Sequence, residues 1–408
     1  MKYILVIGDG MADNPLAALN GKTPLEHASI PTIDRLAAQG ILGNVRNCPV
    51  EFQPGSDVAI MSIFGCSPNK YYSGRAPLEA AAQGIFLNPG DAAFRCNNIT
   101  ISEDGDFMDK TILSHSAGGI GGQEAMELVN WLFAHPEFSR LAEKAGMKIY
   151  PAKSYRHIVV MKSTDIRGLQ LIPPHDHINE RVGDNLPAGN PVGDVLTEIM
   201  AKANELLEHH PINEERKAKG KLPANSIWFW AEGTAAELPN FKEQYGRAGA
   251  VISAVPLCHG IAGLIGLDVI HIPGATGELE TNYEGKVQGA LDALKDHDFV
   301  AVHLEGPDEC THNGDLKGKL QAIEWLDSRV VAPLLRGLEE AGEDLRMLIL
   351  SDHKTLTESL LHDGDPVPFL IYDSRIRKGS GLPYTEKNGE KGMCLQAGTD
   401  LMPLLFEL

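Results

Sequence analysis

Six short aliphatic runs alternate with amphipathic stretches along this chain, and that alternation constrains the fold more than any other feature. YILVIG (3–8) precedes a helical pattern near 31–39, AVIS (250–253) one near 257–265, and DVIHI (268–272) one near 284–296. FVAVHLEG (299–306) and MLILSDH (347–353) flank a long candidate helix from about Leu316 to Ala341, and PFLIYD (368–373) supplies a further strand. Strands that alternate with helices of this length pair side by side and bury both faces. The expected class is therefore α/β, with a mostly parallel sheet sandwiched by helices.

The middle of the chain breaks this rhythm. AAFRCNNITI, KIYPAKSYRHIVVMK and SIWFWAEG are separated by glycine- and proline-bearing loops and by helices near 123–145 and 193–209, which describes an α+β unit inserted into the first. Turn-forming residues cluster at LNPGD (87–91) and GKLPANS (220–226). The expected division is 1–86 with 225–408 as the main domain and 87–224 as the insert.

Thirty-six Lys and Arg stand against 55 Asp and Glu, a formal charge of −19, which opposes general binding to nucleic acid or to anionic membranes. No apolar run approaches the ~20 residues that span a bilayer. The six cysteines (Cys48, Cys66, Cys96, Cys258, Cys310, Cys394) form no C-x-x-C pair, which suits free thiols in a reducing cytoplasm and argues against a thiolate zinc cluster. No exposed apolar stripe stands out, so oligomeric state is left open.

In an open α/β sheet, ligands bind beyond the carboxyl ends of the strands. Asp9 follows YILVIG, Asp308 and His312 follow FVAVHLEG, Asp352 and His353 end MLILSDH, and His362 lies in the loop before PFLIYD. Each aspartate alone could cap a helix. Three at one sheet edge would repel one another unless cations sit among them, and carboxylates with imidazoles fit Mn²⁺ or Zn²⁺ better than Ca²⁺, with Mg²⁺ as a further candidate. Asp308 and His312, four apart, can reach one ion from a single turn. Asp352 and His353, being adjacent, diverge in a strand and need a turn or two neighbouring ions. In PGSDVAIMSIFG (54–65), Ser56 precedes an apolar helical pattern. It reads either as an ordinary N-cap or as a nucleophile at a helix N-terminus, where free N–H groups would hold a phosphoryl group.

GDGMAD (8–13), PGSDVAIMSIFG, YYSGRAPLEA (71–80), HLEGPDECTH (303–312) and SDH with the later HDGDPVP occur in this order, together with FRCN, GATGELETN and the terminal GTDLMPLLFEL. These motifs resemble the alkaline phosphatase superfamily and, within it, the cofactor-independent phosphoglycerate mutases of archaeal type, a group that includes bacterial members proposed to be homoserine kinases. The resemblance implies an alkaline-phosphatase-like α/β domain, an inserted cap, and two divalent metal ions in the cleft between them. It places Asp9, Ser56, Asp352 and His353 on one ion and Asp308, His312 and His362 on the other. It also implies phosphoryl transfer from 3-phosphoglycerate to Ser56, reorientation of the glycerate, and return of the phosphoryl group to the other hydroxyl. The partner is then a small phosphorylated metabolite. Arg75, Arg95 and Arg156, with Asn98 and Ser116, are the candidates for holding it, because a planar guanidinium pairs bidentately with carboxylate or phosphate. Two departures from the family pattern remove positive charge near the substrate: SHSAGG (114–119) lacks flanking arginines, and His259 in PLCHG replaces a frequent lysine.

The alternatives are a kinase for a small amino-acid alcohol such as homoserine, another metal-dependent phosphotransferase or phosphatase of the superfamily, and a binding protein that keeps the fold alone. No G-x-x-x-x-G-K-[ST] loop is present; GDLKGKL (314–320) fails in spacing and in its last residue.

Overall fold

The computed structural model describes residues 1–376 and 379–407, and the chain forms two compact units, Met1–Tyr72 with Glu237–Leu408 and Ser73–Ala236. The first is built on an eight-stranded sheet. Its centre is Lys2–Gly8, paired in parallel with Phe299–Leu304 on one side and Leu345–Leu350 on the other. Gly249–Ile252 and Asp268–Ile270 continue the parallel order beyond Phe299–Leu304. On the opposite side Val367–Asp373 and then Ile41–Val45 pair antiparallel, and Met393–Leu395 forms the edge. PFLIYD thus runs against its neighbour. The chain reaches it through the short hairpin of Lys354–Leu356 and Leu361–Asp363, and a parallel return would have needed a longer crossover.

Helices cover both faces. Ile4, Val6, Val300, Val302, Met347 and Ile349 pack with Leu36, Tyr283, Leu334 and Leu338 in one buried cluster. On the other face Tyr3 meets Phe406 edge-on at 5.0 Å and Phe299 stacks on Phe241 at 5.0 Å. The stretch expected as one long helix is Leu316–Trp325 and Ala332–Glu340 joined by a π segment, Leu326–Val331. Pro333 explains the break in regularity, since it has no N–H for the bond a regular helix would make.

In the second unit, Ala92–Ile101 is flanked by Arg156–Met161 and Ser226–Thr234, both antiparallel, with Met147–Tyr150 and Ile112–Ser114 completing five strands. All ten residues of Ala92–Ile101 are buried. Phe94, Cys96, Ile99 and Ile101 join a core that includes Leu128, Leu132, Leu196 and Met200 from the helices Gly122–Ala134 and Pro191–Leu207. Behind them Ala93, Ile158 and Val160 pack on Ala76 and Ala80 of helix Arg75–Ala82. Strand Ser226–Thr234 belongs to this sheet and that helix packs on it, so the unit reaches from 73 to 236 and not only from 87 to 224. Turn residues mark where a chain bends, whereas the boundary follows what packs together. Among the described residues, no helix is long and apolar enough to cross a membrane.

Candidate metal centre

The three central parallel strands end level with one another. Gly8 pairs with Leu304 and Ile7 with Leu350, so the residues that follow emerge at one edge of the sheet. Asp9 and Asp352 lie one and two residues beyond these pairs, and Asp308 sits in the first turn of helix Gly306–His312. Gly10, with φ +61°, makes the turn possible; a Cβ there would stand 2.3 Å from Thr355 Oγ1 and 2.7 Å from Asp308 Oδ1. Its N–H donates to Asp352 Oδ1 at 3.1 Å.

Two groups of potential ligands result, each with its donor atoms within 4.8 Å of one another: Asp9, Asp352 and His353, and Asp308, His312 and His362. Ser56 joins the first, its Oγ 3.3 Å from Asp9 Oδ2 and 3.2 Å from His353 Nε2. Helix Ser56–Ile63 is capped by Gly55, so Ser56 is its first residue and its hydroxyl faces the acids instead of capping the helix. His353 Nε2 lies 3.5 Å from Asp9 Oδ1 and 3.3 Å from Asp352 Oδ2. In the second group His312 Nε2 is 3.2 Å from Asp308 Oδ2 and His362 Nε2 is 3.4 Å from Asp308 Oδ1. The rings of His353 and His362 lie 4.1 Å apart, so the groups adjoin. The divergence of adjacent Asp352 and His353 is absent because the chain turns there, with the His353 N–H donating to Asp352 Oδ1.

Hydrogen-bond direction shows what these atoms face. His312 Nδ1 lies 2.9 Å from Leu360 O, His362 Nδ1 3.3 Å from Pro54 O, and His353 Nδ1 3.2 Å from Lys354 O. A carbonyl oxygen only accepts, so each Nδ1 carries the hydrogen and each Nε2 presents a lone pair inward. The Nε2 atoms of His312 and His362 are 2.8 Å apart, a contact that needs a positive charge between them. Asp9 Oδ1 and Asp352 Oδ2 are buried without a hydrogen-bond partner. An orphaned carboxylate oxygen is costly, and a cation relieves both conflicts. Burial, then the charges of Asp352, Asp308 and Glu305, push the Asp9 carboxyl well above its usual range. Asp308 goes the other way: burial raises it, but His312 and His362, when a proton sits on Nε2 in place of a cation, hydrogen-bond to it and hold it well below the usual carboxylate range. The residues present therefore fit divalent cations, through three carboxylates, three imidazoles and a hydroxyl, with no thiolate.

Supporting contacts escaped the sequence reading. His303, pushed down to about 4 by burial and therefore neutral, sits 3.0 Å from Asp9 Oδ2 through Nε2 and 3.0 Å from Ser253 Oγ through Nδ1. Asn47 Nδ2 donates to the carbonyls of Ser351 and Asp352. Thr355 Oγ1 donates to Asp308 Oδ1 at 2.6 Å. A histidine inside the otherwise apolar run FVAVHL was a visible signal; Asn47 and Thr355 had none. His259 lies 2.8 Å from Ser253 O through Nε2.

The candidates for substrate contact lie in the second unit. Arg75, Arg95 and Arg156 come together around Glu79 and Trp230. Glu79 binds Arg95 through two hydrogen bonds and Arg75 through one, while Arg95 and Arg156 lie 4.4 and 5.3 Å from the Trp230 ring centre. Tyr155, His115 and His175 edge the same cluster. Asn98 is not with them: strand alternation turns it to the face of Phe94 and Cys96, where it meets His157 Nε2 at 2.7 Å. Ser116 Oγ accepts from Gly119 N within its own turn.

A family model described as 2,3-bisphosphoglycerate-independent phosphoglycerate mutase matches residues 37–213. A protein of that name from Methanosarcina acetivorans is 44% identical, with 100% of both chains covered. A probable one from Geobacter sulfurreducens is 40% identical, again over 100% of both. Among solved structures, the PH0037 protein from Pyrococcus horikoshii is similar with TM-score 0.81 and 32% identity, covering 100% of this chain and 96% of that one. The cofactor-independent phosphoglycerate mutase from Thermoplasma acidophilum has TM-score 0.69 and 25% identity, covering 100% and 99%.

Proposed function

The chain belongs to the 2,3-bisphosphoglycerate-independent phosphoglycerate mutases, and from that premise we propose that it interconverts 3- and 2-phosphoglycerate through a phosphoserine at Ser56. The observation that carries the site assignment is the convergence of orphaned Asp9 Oδ1 and Asp352 Oδ2 with His353 Nε2 and the Ser56 hydroxyl, beside the second group of Asp308, His312 and His362. Asp9, Ser56, Asp352 and His353 would hold one divalent ion and Asp308, His312 and His362 the other. Such ions, when bound, neutralise charge on the transferring phosphoryl group and favour the serine alkoxide. Imidazole with carboxylate favours Mn²⁺ or Zn²⁺.

The remaining work falls to the chain itself. Ser56 Oγ forms its bond to phosphorus as the bond to glycerate O3 breaks, and the proton that leaves the Ser56 hydroxyl ends on O3. The glycerate turns, and its 2-hydroxyl oxygen takes the phosphoryl group back, so the protein ends as it began. The free N–H groups of helix Ser56–Ile63 suit an anion beside Ser56. Arg156 is the candidate for the glycerate carboxylate, since its buried Nε has no hydrogen-bond partner among the described residues, whereas Arg95 is occupied by Glu79. Water kept from the phosphoserine during the turn would prevent hydrolysis, a role we assign to the inserted unit as a cap. The six free thiols suit a cytoplasmic enzyme.

The test is conversion of 3-phosphoglycerate by Mn²⁺-loaded protein without 2,3-bisphosphoglycerate, coupled to enolase, with ATP and homoserine in a parallel arm. Product in the first arm and none in the second is expected; the reverse overturns the mutase in favour of the kinase. Ser56→Ala should remove turnover, by roughly 10⁴-fold or more, while leaving the melting curve in place. A variant that keeps its activity rules out the phosphoserine.

A further inference from the structure

We propose that Thr355 is a positioning residue shared by the two ligand groups, so that cation binding in both depends on one buried hydroxyl. The inference rests on reading both groups as cation sites. Thr355 is wholly buried at the centre of strand Lys354–Leu356, and its Oγ1 lies 2.6 Å from Asp308 Oδ1 and 3.3 Å from His353 Nδ1. A hydroxyl has one hydrogen. The Asp308 carboxylate can only accept, so the hydrogen goes there, and towards His353 the Thr355 oxygen can only accept in turn. That requires the hydrogen of His353 on Nδ1, which leaves Nε2 free to face Asp9, Asp352 and Ser56. One side chain therefore aims a carboxylate of the second group and, together with the Lys354 carbonyl 3.2 Å from His353 Nδ1, holds the tautomer of an imidazole in the first.

The surroundings keep this hydroxyl from turning away. The Thr355 N–H donates to Ala12 O at 3.2 Å, and its carbonyl accepts from Lys319 Nζ at 2.7 Å. Lys319 is itself buried and paired with Asp13 at 2.8 Å, so the anchor is fixed. Gly10 closes the remaining side, since the position of a Cβ there is only 2.3 Å from Thr355 Oγ1. Across the hairpin Thr355 pairs with His362, which ties the same residue to a third ligand through the backbone.

The experiment titrates chelator-stripped full-length protein with Mn²⁺, followed by calorimetry and by the electron paramagnetic resonance of free Mn²⁺. Thr355→Val keeps the shape of the side chain and removes the hydroxyl. It should weaken both ions by about 10–100-fold, the range for loss of an outer partner of a metal ligand. Thr355→Ser restores the hydroxyl and should return both affinities to within a few-fold of the parent. If valine prevents folding, which circular dichroism reports, Thr355→Ala against Thr355→Ser carries the same comparison. Parent-like binding in Thr355→Val, or weakening of one ion alone, overturns the shared role. A serine variant as weak as valine does so too, because packing would then be the cause. A parent chain that takes up no Mn²⁺ overturns the cation reading, and this inference with it.

Discussion

Arg95 and Arg156 lie against the same indole, yet their guanidinium groups are committed differently. Burial pushes Glu79 up, but its hydrogen bonds to Arg95, and then to Arg75, hold it below the usual carboxylate range, so the Glu79–Arg95 pair stays ionised and closed. Such a pair shapes a surface and offers little to a ligand. Among the described residues the Arg156 guanidinium keeps only Tyr155 Oη as a hydrogen-bonding partner, at 3.3 Å, and burial, then the Arg95 charge, lowers its pKa, so an incoming carboxylate would relieve it. Arg156→Lys loses the planar fork while keeping the charge. The expected outcome is a KM for 3-phosphoglycerate raised roughly 10-fold, about 1.4 kcal/mol, with kcat nearly unchanged, read from initial rates. A fall in kcat at constant KM would instead give Arg156 a role confined to the transition state. Asn98 stands on the opposite strand face from Arg95, its Oδ1 on His157 Nε2 and its buried Nδ2 without a hydrogen-bond partner among the described residues.

At the scale of elements, the site depends on two short turns. The first follows Lys2–Gly8, where Gly10 takes a positive φ and lets Asp308 and Thr355 approach the backbone. Gly10→Ala should lower stability by roughly 2–4 kcal/mol, from left-handed strain plus overpacking against Thr355, and weaken Mn²⁺ binding in parallel. Thermal melts with and without Mn²⁺ check it; an alanine variant as stable as the parent would mean that the turn relaxes freely. The second is the 354–363 hairpin, where Leu360 holds φ +60° and aims its carbonyl at His312 Nδ1. All six aliphatic runs are strands, and Asp9, Asp308 and Asp352 follow strand ends as their spacing implies. These were legible because a strand buried on both faces is apolar throughout, and such runs are hard to mistake. The hairpin was not legible. Its strands are three residues each, too short to show a period, and the properties that matter are a φ angle and a carbonyl direction. The partnership of Thr355 with Asp308 is equally hidden, since 47 residues separate them and threonine fits any strand.

The whole molecule joins two compact units in one chain, and every candidate cation ligand belongs to the unit Met1–Tyr72 with Glu237–Leu408. Each core draws on its own sheet and helices. Ligand binding stabilises only the structure that contains the site, by about 2.7 kcal/mol when the free cation stands at 100 times its dissociation constant. Removing Mn²⁺ with a chelator should therefore act on one unit. That value is for one site; two such ions in a unit of this size correspond to a fall of roughly 10–20 °C in melting temperature. In differential scanning calorimetry the metal-loaded chain should show two overlapping transitions. Chelation should move one by this amount and leave the other, that of Ser73–Ala236, in place. Burial and the mutual repulsion of Asp9, Asp352, Asp308 and Glu305 are part of what that binding free energy relieves. A single transition that shifts as a whole would show that the units unfold as one, and cation binding would then stabilise the inserted unit across the boundary.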